Sequence, residues 1–92
     1  MEIEFDQAKR DQTFADRGLA FEDAAAVFAG PHFTVPDDRR DYGEPRFLTF
    51  GQLRGRTVTL VWTPRREACR VISMRYANEQ ERARYSERLG QG

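Results

Sequence analysis

The sequence predicts an α+β domain: two N-terminal helices packed on one face of a small antiparallel sheet, followed by a C-terminal helix. Three observations carry this expectation. Phe21, Ala24, Ala25 and Phe28 fall at i, i+3, i+4 and i+7, the spacing of a single helical face. Thr57 to Thr63 alternates strictly, with Val58, Leu60 and Trp62 on one side and Thr57, Thr59 and Val61 on the other. The flanking connections are short, which favours antiparallel neighbours.

Each element follows in turn. Glu2 to Phe5 alternates polar and apolar and reads as a short edge strand, with Ile3 and Phe5 on one side. Asp6 is placed to cap a helix over Gln7 to Arg17, and Gly18 to end it. The apolar stripe of that helix, Ala8, Phe14 and Ala15, is thin, so most of its side chains face water or a partner. The second helix carries Glu22 and Asp23 in its first turn, where the helix dipole favours acids, and stops at Gly30-Pro31. His32 to Val35 reads as a short strand, and Pro36 to Pro45 as a polar, solvated loop. Arg46 to Phe50, Thr57 to Thr63 and Ala68 to Tyr76 are the main strands, turned by Leu53-Arg54-Gly55-Arg56 and Pro64-Arg65-Arg66-Glu67. Asn78 and Glu81 form a capping box for the last helix, in which Arg82, Tyr85 and Leu89 share a stripe and Gly90 is the stop. Val58, Leu60 and Trp62 are expected to bury against Phe21, Ala25 and Phe28. Helices on one side leave the other sheet face open for function.

Composition narrows the chemistry. The 92 residues suit one domain, with 15 Lys+Arg against 15 Asp+Glu, 33% charged and 39% hydrophobic residues, a balance typical of a soluble globular chain. No apolar run approaches the roughly 20 residues of a membrane span. Glu2 and Glu4 after Met1 do not form a secretory n-region, so the cytoplasm is the expected address. One cysteine and one histidine exclude an internal disulfide, a Cys-rich zinc site and a His-x-x-x-His metalloprotease motif. No glycine-rich nucleotide loop is present. Asp37, Asp38, Asp41 and Glu44 lack the spacing of a calcium loop and enclose Arg39 and Arg40, so they read as a solvated loop, with no metal expected.

Of the 15 basic residues, 14 are Arg. The planar guanidinium fork suits phosphate, although codon bias alone produces the same composition. Arg70-Val71-Ile72-Ser73-Met74-Arg75 is the sharpest segment. Strand parity puts Ser73 and Arg75 on the open face, and Arg70 with Ile72 and Met74 on the other, where Ile72 and Met74 read as core. Arg70 then reaches round an edge. The segment reads either as snorkelling surface arginines or as a phosphate clamp joined by Arg46 of the neighbouring strand. Cys69 and Trp62 read as packing. His32 reads as structural, with an acid–base role as the alternative.

Taken together these residues resemble the BrnT family of toxins from bacterial type II BrnT–BrnA toxin–antitoxin modules. The resemblance runs from about Glu4 to Tyr85. It is carried by Phe5-Asp6-Gln7-Ala8-Lys9, Gly18, Phe21-Glu22-Asp23-Ala24, Phe28, Asp38-Arg39-Arg40-Asp41-Tyr42-Gly43-Glu44-Pro45-Arg46-Phe47 and Gly51. Thr63, Arg65, Arg70 to Arg75, Ala77, Glu81 and Tyr85 complete it. The resemblance implies a RelE/ParE-like fold and a metal-independent endoribonuclease, without cofactor, that cleaves RNA and arrests translation and growth. It also implies a BrnA-like ribbon-helix-helix antitoxin, a heterotetramer or similar complex, and autorepression in which promoter DNA is reached only through the antitoxin. Carried over residue by residue, Arg70, Arg75, Arg46 and Lys9 become catalytic candidates. Arg17 and Ser73 become phosphate-binding candidates, and Glu44, His32 and Tyr85 possible acid–base groups.

The chain departs from the family pattern at the end of its first helix. Where the family has Lys-His before the glycine, this chain has Asp16-Arg17. Arg17 can hold a phosphate but cannot exchange a proton near neutral pH. This predicts slow cleavage. The alternative role is a weakly active or inactive relative that binds the antitoxin and contributes to promoter repression.

Overall fold

Alternating residues of one long strand organise the molecule. In the computed structural model, which describes residues 2–89, Val58 and Leu60 project from the central strand into one core. The chain runs β1 (Glu2–Glu4), α1 (Gln7–Arg17), a 3-10 turn (Phe21–Asp23) leading into α2 (Ala24–Ala29), then β2 (His32–Pro36) and β3 (Phe47–Leu53). It continues through β4 (Arg56–Arg65) and β5 (Ala68–Tyr76) to α3 (Glu79–Arg88). The five strands lie in the order β1-β5-β4-β3-β2. Among the described residues no helix is long and apolar enough to cross a membrane.

The sheet is mixed rather than antiparallel. β1 pairs parallel with β5, from Glu2↔Ala68 to Glu4↔Arg70, while the other three pairings are antiparallel. About two-thirds of the chain separates β1 from its neighbour, so no tight turn dictates the direction of this short edge. β3 begins at Phe47, which leaves Arg46 in the preceding loop, and runs on to Leu53. β4 extends to both sides of the predicted span, because Leu53 pairs with Arg56 and Arg65 with Ala68. Only Arg54 and Gly55 turn the first hairpin, with φ of 49° and 80°, the pair of positive values that a two-residue turn matching strand twist requires.

α1 has the predicted bounds. The Lys9 N–H donates to the Asp6 side chain, and Gly18 at φ 70° closes the helix by donating to the Phe14 carbonyl. No α1 residue is buried, and Phe14 is 51% exposed. Contacts near both ends tether it: Arg10 Nε and Nη2 donate to Glu22 at 3.0 and 2.7 Å, and Arg17 Nη1 donates to the Met74 carbonyl at 3.0 Å.

The next helix is shifted. Its buried face is Phe21, Ala24 and Val27, with Phe28 half-buried, whereas Ala25 is exposed. Phe21 lies in the 3-10 turn, which has three residues per turn rather than 3.6 and so rotates the face. These residues pack with Leu19, Val58, Leu60, Cys69, Val71 and Met74. Gly51 permits the approach, since a Cβ there would lie 2.5 Å from Val27 Cγ1. Trp62 is half-buried, not buried. Its ring meets Phe28 edge-on at 5.5 Å, and its indole N–H donates to Thr49 Oγ1 at 2.8 Å.

The opposite face is only partly open. Phe33, Phe50 and Tyr85 form a second core under α3, joined by Val35, Leu48 and Leu89. Tyr85 stacks on Phe33 and donates to the Pro31 carbonyl at 3.1 Å. The aromatic side chains of β2 and β3 on this face draw α3 over one half of the sheet. The helix stop assigned to Gly90 lies outside the described residues.

Candidate functional site

The uncovered half of that face belongs to β4 and β5, and a bulge determines which side chains it presents. Val61 pairs with Ser73 but Trp62 pairs with Val71, so Ile72 is an extra residue in β5. Strict alternation separates Arg70 from Arg75, whereas the inserted residue restores their common face. Arg70, Ser73 and Arg75 thus stand opposite Thr63, Val61 and Thr59, while Cys69, Val71 and Met74 point into the first core. Two expectations are corrected: Arg70 shares the face of Ser73, and half-buried Ile72 leaves the core.

The loop from 37 to 46 folds over this surface. It is polar, but it is not wholly solvated, because the Asp37 side chain is 0% exposed. Arg39 donates to it through Nε at 2.7 Å and Nη2 at 2.8 Å, Tyr42 donates its hydroxyl at 3.3 Å, and the Asp37 N–H donates to the Arg46 carbonyl at 2.8 Å. The Arg39 guanidinium holds the Asp37 carboxyl down at about 2. The Tyr42 ring in turn carries Arg46 at 4.2 Å and Arg40 at 5.3 Å. Thr63 fastens the loop to β4 by donating to the Pro45 carbonyl at 2.6 Å.

A cavity of about 410 Å³ results, with Arg39, Arg40, Tyr42 and Arg46 above and Val61, Ile72 and Ser73 beneath. Three guanidiniums face it against one carboxylate, Asp37, already taken by Arg39 and Tyr42. Planar donors so placed are chemically suited to an anion.

The predicted residues divide around this cavity. Arg46 and Ser73 line it. Arg75 lies alongside and feels the like charge of Arg39, but its Nη1 and Nη2 each donate to Glu81 at 2.7 Å. That pairing raises the Arg75 pKa and lowers that of Glu81. Arg70 sits at the strand start with Nη1 3.7 Å from Glu4 Oε1. Glu44 is on the same loop, where it accepts from Arg46 Nε at 3.3 Å and Arg65 Nη2 at 3.2 Å.

The remaining candidates lie elsewhere. Lys9 is exposed on α1, and Arg17 is engaged at the Met74 carbonyl. His32 is on β2, the far edge strand, with Nδ1 2.8 Å from the Gly30 carbonyl and its ring edge-on to Phe28. Tyr85 belongs to the second core. Burial pushes the Cys69 thiol up to about 11, so it stays protonated. Among the described residues no three His, Cys, Asp or Glu side chains converge as metal ligands. The sequence reading missed Arg39, Arg40 and Tyr42; the available signal was Asp37 two residues before Arg39, the spacing of a local Asx-type anchor.

Against known families, residues 5–81 match the model for the ribonuclease toxin BrnT of type II toxin–antitoxin systems. The search of curated proteins found no match.

Proposed function

The chain belongs to the BrnT ribonuclease toxin family of type II toxin–antitoxin systems, and from that premise we propose that it cleaves RNA, without a metal ion, at the cavity under the 37–46 loop. The observation that supports this most is the convergence of Arg39, Arg40 and Arg46 above Ser73, with Asp37 already neutralised. Such a site holds a phosphodiester and stabilises the charge that builds on phosphorus.

In this reading the 2′-hydroxyl of the RNA attacks the adjacent phosphate in line. The 2′-O–P bond forms and the P–O5′ bond breaks, giving a 2′,3′-cyclic phosphate and a free 5′-hydroxyl. Arg40 and Arg46 hold the non-bridging oxygens, Ser73 donates to one of them, and Arg70 and Arg75 flank the strand. Of the three acid–base candidates, Glu44 is the one on the cavity's own loop. It takes the 2′-hydroxyl proton, and water supplies the proton for the leaving 5′ oxygen. Positioning and fixed charge carry most of the rate. The fold is RelE/ParE-like in this reading, the site of action is the cytoplasm, and the outcome is arrest of translation and growth. A BrnA-like ribbon-helix-helix antitoxin relieves it and brings the complex to promoter DNA.

Purified protein incubated with a defined RNA in EDTA tests the proposal. Cleavage to a cyclic-phosphate end is expected, and Arg46→Ala should lower the rate by about 10²–10³-fold, as for loss of one oxyanion donor. Absence of wild-type cleavage in EDTA overturns it. One observation favours a second reading, a weakly active or inactive antitoxin-binding protein: both terminal nitrogens of Arg75 are already bound to Glu81. Growth on induction without the antitoxin separates the two.

A further inference from the structure

The other end of β5 carries a second cavity, of about 310 Å³, lined by Gly55, Arg56, Thr57, Tyr76, Ala77 and Arg82. Its two arginines are held without a carboxylate partner. Arg10, Arg39, Arg46, Arg54, Arg65, Arg70 and Arg75 each pair with a carboxylate. Arg56 instead lies 3.6 Å above the Tyr76 ring, and Arg82 Nη1 donates to the Ala77 carbonyl at 2.9 Å. Neither has an ion-pair partner among the described residues, and no Asp or Glu lines the cavity. A ring face and a carbonyl orient a guanidinium without cancelling its charge.

Thr57 completes the set. Its side chain is accounted for on the acceptor side, because Oγ1 accepts from Gln52 Nε2 at 3.0 Å, which leaves the hydroxyl proton to give. The cavity therefore presents donors from three side chains. Arg40 and Arg46 are poised on Tyr42 in the first cavity by the same arginine-on-tyrosine device. Tyr76 is three residues beyond Ser73 on the same strand, about 10 Å along it, and turns to the face of the first core, so the second cavity lies round the end of the sheet from the first. Two donor-lined cavities joined round the end of β5 suit a flexible linear polyanion better than an isolated carboxylate.

We propose that Arg56, Arg82 and Thr57 form a second phosphodiester subsite, which grips single-stranded RNA away from the bond that is cut; this rests on the ribonuclease reading. The probe is a labelled mixed-sequence 12-nucleotide RNA made uncleavable by 2′-O-methylation, titrated with the full chain at several salt concentrations. Arg56→Ala with Arg82→Ala should weaken binding at least tenfold at low salt and reduce the salt slope by about 0.7 for each phosphate no longer neutralised. The deficit should vanish with a 2′-O-methyl dinucleotide, which is too short to span both sites. Arg56→Lys with Arg82→Lys, which keeps the charge, should restore the slope and guards against misfolding as the cause. An unchanged slope in the alanine variant overturns the subsite. If that variant binds RNA normally but no longer co-elutes with the antitoxin, the cavity is a protein-binding surface and the proposal falls. Wild-type protein that binds RNA with this dependence yet cuts none refutes the ribonuclease reading and leaves the subsite standing.

Discussion

Asp37 shows how one side chain determines the shape of the site. It is buried, it is ionised, and it accepts hydrogen bonds from Arg39 and Tyr42. Replacing it with Ala strands the Tyr42 hydroxyl and frees Arg39, at a cost of about 1–3 kcal/mol. The larger effect should be functional, since Tyr42 carries Arg40 and Arg46, two of the three cavity arginines; RNA affinity should fall with stability. The pH dependence has a definite sign. The carboxyl is held at about 2 in the folded chain against 3.8 ordinarily, so folding favours its ionised form. That contribution is complete above about pH 4 and is lost as pH falls towards 2. Melting curves from pH 6 to 2 should show wild type and Asp37→Asn converging at the acid end. A constant gap between them would mean that the carboxylate charge is not what matters.

At the scale of elements, α3 is fastened by a residue with two duties. Glu81 accepts from the Asn78 N–H as part of the capping box and also takes both terminal nitrogens of Arg75 and the Thr59 hydroxyl. Glu81→Gln keeps some hydrogen bonding but removes the charge that neutralises Arg75. A stability loss of about 1–2 kcal/mol is expected, together with tighter RNA binding because Arg75 is freed. Thermal melts and RNA titrations should thus move in opposite directions; a parallel loss of both would make Arg75 structural only. α1 behaves differently. With no buried residue, its Phe14→Ala variant should change stability by under about 0.5 kcal/mol. The same variant should weaken antitoxin binding if this exposed face is the partner surface, which competition binding measures.

At the scale of the whole molecule, a net-neutral chain of 92 residues segregates its charges. About half of the acids pair with arginines, and among the described arginines without a carboxylate partner Arg40, Arg56 and Arg82 line the two cavities. A partner that covers them should be acidic or helical there. Co-expression with the neighbouring antitoxin should give one peak on size exclusion at micromolar concentration. Melting should rise by the equivalent of about 2.7 kcal/mol when the partner is at 100 times its Kd. Separate elution at that concentration counts against the antitoxin assignment.

Much of the architecture was legible in the chain alone, because its signals are local. Asp6 and Gly18 bracket α1, Asn78 and Glu81 open α3, and period-two alternation marks β4 as the central strand. Ser73 and Arg46, singled out in the sequence, both line the cavity, and the family resemblance agrees with the match over residues 5–81. What only the folded chain decided are the non-local facts. The parallel docking of β1 depends on a strand more than sixty residues away. The bulge at Ile72 depends on how β5 registers against β4, and it alone brings Arg70 and Arg75 to one face. The burial of Asp37 depends on a loop closing over a sheet, which no composition of that loop reveals. Local preferences are written residue by residue, but register and enclosure arise only when distant segments meet, and the second of these made the cavity.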